Sequence, residues 1–188
     1  MSRRVLLVVV LVVVLLAGAT VAIVASSRPD LQSDREAVDA RWAPLREPLA
    51  TRYGSLSQLI AALAAVGAGE RTYTLDLADE VETWSTLAGR PDPDPGAEAA
   101  AANRLEGLAA RTRVNVARSA RLSRDPGVVA ALATFDAGLV PPDQVDAYNK
   151  AVRRYQGTRT DSLAQISADL LGFEPRPVLV VGVTQSAG

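Results

Sequence analysis

The chain has 188 residues, 48% of them hydrophobic but only 4% aromatic, carries a formal net charge of −1, and contains neither histidine nor cysteine. Those two absences exclude the usual zinc ligand sets, Ser-His-Asp and Cys-His nucleophile pairs, thioredoxin chemistry, disulfides and the modified cysteine of a lipoprotein. Setting Arg3 and Arg4 aside from the 20 basic residues leaves the remainder near −3 against 21 acidic ones, which argues against nucleic acid as a partner, since that needs a basic surface to displace counterions.

A short basic flank, residues 1–4, precedes an uncharged apolar run from Val5 to Ala25. About 20 such residues span the hydrocarbon core of a bilayer as a helix. The run therefore predicts a single-pass transmembrane anchor that contacts membrane lipid through residues 5–25. A rival reading is a secretory signal cut at Ala17-Gly18-Ala19, which would release a secreted protein starting at Thr20. Against it, the apolar run continues past the point where a signal ends. Arg3 and Arg4 abut the run directly, whereas Arg28, Arg35 and Arg41 follow at a distance, so the N-terminus is expected inside and the domain outside the cell membrane.

Alanine-rich, aromatic-poor composition favours helices over sheets. Val38, Trp42, Leu45, Leu49, Leu56, Leu59, Leu63 and Val66 follow alternating steps of four and three, with Arg52 the one place where the stripe fails. Pro44 and Pro48 lie inside this stripe without disturbing its phase, which predicts one bent helix from about Leu31 to Val66. Gly67-Ala68-Gly69 ends it. A second helix is expected from Glu70 to about Leu87, with Tyr73, Leu77, Val81 and Trp84 on one face.

Residues 90–96 form a proline-rich linker, after which Asp94 caps a third helix with Pro95 at its first position. Asp125-Pro126 repeats the device and opens a short helix ending at Gly138. A last long helix begins after Pro141-Pro142 with Val145, Tyr148, Val152 and Tyr155 on one stripe. Its phase slips to a new one at Leu163, Ile166 and Leu170, which predicts a break between Gly157 and Ser162. The segment Val178 to Val183 is β-rich in composition, yet an isolated terminal run reads as an extended or frayed tail. The fold class expected is all-α: a transmembrane helix, then an antiparallel bundle of long helices over residues 26–177, then a tail at 178–188.

The stretch Ala147-Tyr148-Asn149-Lys150-Ala151-Val152-Arg153-Arg154-Tyr155-Gln156, followed by Leu170-Leu171-Gly172-Phe173-Glu174-Pro175, resembles the C-terminal signature of the LemA family. Val38-Asp39-Ala40-Arg41-Trp42 and Arg52-Tyr53 through Leu59-Ile60 are similar to that family's N-terminal helix. Gln156 stands where a second asparagine is usual, Thr160-Asp161-Ser162 replaces a Phe-Pro turn, and Gly54-Ser55-Leu56-Ser57-Gln58 replaces Asp-Leu-Ile-Pro-Asn. The resemblance implies a membrane-anchored helical bundle of a bacterial envelope, with no established enzyme activity and with Tyr148, Asn149 and Tyr155 as the family motif.

Several residue groups invite a functional reading. Arg104, Arg111 and Arg118 recur every seven residues with Arg121 a turn on; such a stripe can dock anionic lipid or an acidic partner, or pair with the acidic face of the preceding helix. Asp76, Asp79 and Glu80 share a helical face and would be the core of a carboxylate-dependent enzyme. Asp92 and Asp94 hint at a calcium loop, but Asn103 stands where an EF-hand needs a bidentate glutamate. Tyr148, Asn149 and Tyr155 form a recognition spot or core residues with polar tips. The composition thus points to no catalytic residue, metal or cofactor, and to a membrane-tethered scaffold or adaptor with an envelope protein as partner.

Overall fold

The computed structural model describes residues 26–182, and the expected anchor, its cleavage alternative and the last six residues lie outside that range. Among the described residues no helix is long and apolar enough to cross a membrane. They form an all-α bundle: α1 (26–42), a 3-10 turn (Ala43–Leu45), α2 (Arg46–Gly54), α3 (Leu56–Ala65), α4 (Thr72–Ala88), α5 (Pro95–Arg118), α6 (Pro126–Ala137), α7 (Pro142–Thr160) and α8 (Ser162–Leu171), with no strand among them.

The expected bent helix is instead three helices that keep one phase. Pro44 cannot donate a backbone hydrogen bond, and the chain tightens there into the 3-10 turn. Pro48 falls in the first turn of α2, where amides have no intrahelical partner anyway. At Ser55 the backbone N–H and hydroxyl both donate back to Arg52 O, at 3.3 and 2.6 Å, and α3 starts anew. The stripe nevertheless stays on one face, because Leu31, Val38, Trp42, Leu45, Leu49, Leu56, Leu59 and Leu63 are all buried. Pro29 does not interrupt α1.

Gly67, at φ +74°, closes α3 in the left-handed conformation that a side chain disfavours, and the Ala68 amide reaches back to Leu63 O. α4 then packs antiparallel on α5, with Leu77 and Trp84 in the core. Asp94 accepts from the Gly96 and Ala97 amides and Asp125 from Val128, so both Asp-Pro caps form as the sequence predicts. α6 packs on α3. α7 runs antiparallel to α1, since Thr158 and Arg154 reach Asp34 while the Tyr148 and Trp42 rings lie 5.0 Å apart. It passes through Gly157 and breaks at Asp161.

Candidate functional site

The segment after α8 has no regular secondary structure, yet it is far from frayed. Residues 173–182 form an extended strap laid between α5 and α7. On the α7 side, the Tyr155 hydroxyl donates to Glu174 O (2.8 Å), Gln156 to Arg176 O (2.7 Å) and the Tyr148 hydroxyl to Pro177 O (3.0 Å). Asn149 uses both ends of its amide, donating to Leu179 O at 2.9 Å and accepting from Leu179 N–H at 2.7 Å. On the α5 side, Asn103 does the same for Val178 O and Val180 N–H, both at 2.7 Å, and Glu106 accepts from Gly182 N–H at 3.1 Å. Backbone groups of an extended chain alternate in direction. Two helices carrying amide side chains therefore stand where neighbouring strands would.

The strap's middle is held by charge. Arg176 is buried and pairs with Asp94 (3.1 Å) and Asp39 (3.3 Å). It lies so close to Gly96 that a Cβ there would sit 2.3 Å from its guanidinium, so a side chain at that position would push Arg176 off its place. Burial alone would push the Asp94 carboxyl up, but the Ala97 amide, the Arg176 guanidinium and the Gly96 amide outweigh it and hold its pKa below the usual value. Asp39 moves the other way: burial raises it despite Arg176 and Arg35. Burial also raises the hydroxyl pKa of Tyr148 and Tyr155, so both stay protonated donors to the strap.

The strap ends at a cleft of about 720 Å³ between α5, the α6–α7 connection and the start of α7. Its walls are Gly107, Ala110, Val140, Val145 and Val181, with Leu139 and Val180 exposed at its mouth. Arg52 closes its floor. That residue, where the heptad stripe fails, is only 5% exposed. It makes a bidentate pair with Glu106 (2.6 and 3.0 Å), donates to Phe135 O and Gly138 O at the end of α6, and stacks 4.0 Å from the Phe135 ring centroid. Arg113 pairs with Asp136 at the rim, and Asp146 has no ion-pair partner among the described residues.

The arginine stripe divides. Arg104 pairs with Glu80 (2.9 Å) and Arg111 with Asp76 (2.5 Å), which places two of its members against the acidic face of α4. Arg121 donates to Val66 O at the end of α3, and Arg118 is exposed. The same contacts occupy Asp76 and Glu80, and among the described residues no cluster of three acidic side chains could hold a metal. A second buried carboxylate, Glu98, accepts from Trp42 Nε1 (2.6 Å) and Arg46 Nε (3.0 Å), joining α5 to α1 and α2.

Of the residues singled out from sequence, the structure brings Tyr148, Asn149 and Tyr155 together on the strap and leaves the arginine stripe away from the cleft. Asn103, Glu106, Glu98 and Arg176 were missed. Arg52 left a trace as the gap in the stripe; Asn103 left none, because its strap partners are more than seventy positions away. The fold and site define a helical bundle with a side-chain-clamped C-terminal strap and an apolar cleft at the strap's end. No family model matches the chain, and none of the curated proteins does.

Proposed function

We propose that the protein is a membrane-tethered, non-enzymatic scaffold or adaptor of a bacterial cell envelope, LemA-like in plan, anchored by Val5 to Ala25 with its bundle outside the membrane. The observation that carries this reading is the cleft. Its walls are apolar; of the charges at its floor and rim, Arg52 is matched to Glu106 and Arg113 to Asp136, which leaves one exposed carboxylate, Asp146, outside an ion pair among the described residues. Such a surface suits apolar side chains of a protein partner better than the developing charge of a reaction, which needs unpaired groups aimed at the reacting atoms. The cleft is also remote from the anchor. Arg52 lies 27 positions along the α1–α2 path from Ala25, on the order of 40 Å at helical rise. A cleft that far along the chain from the apolar run favours a partner among other envelope proteins over lipid.

The test places a photo-crosslinking amino acid at Val145, on the cleft wall, or at Leu75, on α4, in the full chain within intact bacterial membranes. The expected result is one envelope protein joined from position 145 and not from 75. Gly107→Leu should weaken or abolish the product, since a Cβ at Gly107 meets open space and the rest of the leucine would project into the cleft. Equal products from both positions, or a product indifferent to Gly107→Leu, overturn the reading.

A further inference from the structure

Where α7 ends, the described side chains of α8 are arranged inside out. Its small residues Ala164, Ser167 and Ala168 are buried, whereas Ile166, Leu170 and Leu171 are 46%, 63% and 39% exposed. A helix on the surface of a globular domain does the reverse, turning its large aliphatic side chains to the core. Packing within the chain does not account for this face; an apolar phase outside it would.

The placement of α8 says which phase. Its first residue follows the break at Asp161, and the residues just after it are tied back to the same end of α7: Arg159 Nε donates to Phe173 O and the Tyr155 hydroxyl to Glu174 O, both at 2.8 Å. Arg159 also pairs with Asp169 in the last turn of α8, so both ends of α8 lie near the end of α7 and the helix sits at that end of the bundle. That end is where α1 begins. Asp34 accepts from the Thr158 hydroxyl at 2.6 Å, and the Arg35 guanidinium lies 6.0 Å from the Phe173 ring centroid. Only about 14 Å of helix separates Asp34 from Ala25, the last residue of the apolar run.

We propose that α8 is an interfacial helix: Ile166, Leu170 and Leu171 enter the headgroup and upper acyl region of the leaflet into which Val5 to Ala25 runs, giving the bundle a second membrane contact that fixes its tilt. The proposal rests on the anchor reading above. A second copy of the chain is a poorer occupant, since a helix face about 15 Å long and 10 Å wide offers on the order of 150 Å², far below the roughly 800 Å² per partner of a stable interface. A bilayer needs no complementary partner surface and is already within reach.

The chain has no natural cysteine, so single substitutions give unique labels. Full-length Leu170→Cys and Ile166→Cys, and the controls Leu75→Cys and Leu139→Cys on other elements, would carry an environment-sensitive fluorophore in phosphatidylcholine–phosphatidylglycerol vesicles containing bromine-labelled acyl chains. Every substituted residue is exposed, and unchanged far-ultraviolet circular dichroism confirms the fold. The expected result is several-fold stronger quenching at positions 166 and 170 than at 75 and 139. A chain that floats with the vesicles but shows equal quenching at all four positions overturns the interfacial helix and leaves the anchor standing. A chain that stays in the aqueous fraction overturns the anchor as well. Efficient disulfide formation between two Leu170→Cys chains, with the label unquenched, assigns the face to a second copy and also overturns the proposal.

Discussion

The cleft and α8 both leave apolar side chains uncovered, but in opposite shapes. The cleft is concave: Gly107, Ala110 and Val145 line it between helices, and the Arg52–Glu106 pair closes the floor. The α8 face is convex: Ala164, Ser167 and Ala168 pack inward, and Ile166, Leu170 and Leu171 stand out. Concavity with fixed polar groups suits a discrete, shape-matched partner, whereas a flat projecting face suits a phase that conforms to it. The strap runs from one to the other, leaving α8 at Phe173 and forming a cleft wall by Val181. Whatever loosens the strap therefore bears on both.

The largest break in this comparison is expected at the cleft. Arg52→Ala strips Glu106 of its buried partner and two α6 carbonyls of their donor, and should cost about 3–5 kcal/mol, read as a lowered urea midpoint of the full chain. Asn149→Ala leaves both strap groups of Leu179 without partners; a loss of about 1–3 kcal/mol is expected, with faster hydrogen exchange at Leu179 and Val180 while the α4 and α5 amides stay protected. Gly107→Ala should act in the opposite direction, stabilising by about 0.5–1 kcal/mol, since it removes glycine from a helix interior at a spot where a Cβ meets only open space. A destabilised Gly107→Ala would show that the cleft closes in solution.

The smallest effect concerns the strap's middle and depends on pH. The Asp94 carboxyl has a folded pKa below its unfolded value, so its stabilisation is complete above about pH 4 and is lost as pH falls through the folded value. Asp94→Asn keeps an N-cap but removes the charge facing Arg176. The advantage of the natural chain over this variant should be present at neutral pH and disappear in acid, measured by urea midpoints across the range. Asp39, raised by burial, contributes with the opposite sign, present below its unfolded value and lost as pH rises through the folded one. An advantage that persists undiminished in acid would mean that the Asp94–Arg176 pair is not what holds the strap there.

Local rules carried most of the helices. Both Asp-Pro caps, the Gly67 stop and the stripe from Val38 to Leu63 depend on neighbours within a turn or two, and the sequence displays those neighbours directly. The division of the first long helix was less legible. Phase alone does not reveal whether a proline meets a helix interior or a fresh first turn, and at Pro44 and Pro48 the chain took a 3-10 turn and then a restart. α8 appeared in sequence as a stripe of Leu163, Ile166 and Leu170, which would be read as a core face; the fold turned Ile166 and Leu170 outward.

By itself the sequence determined an all-α chain, its capping and break points, a long apolar run beside a charged domain, and the absence of histidine and cysteine chemistry. Only the tertiary structure decided that Arg52 fills the gap in the stripe, that Asn103 and Asn149 clamp one strap from two helices, and that a cleft opens where the strap ends. The physical reason is separation along the chain. Helix formation is decided by bonds between residues four apart, whereas Arg52 meets Glu106 and Gly138, and Asn103 meets Val178, only once the helices have docked and excluded the water that would otherwise satisfy those groups.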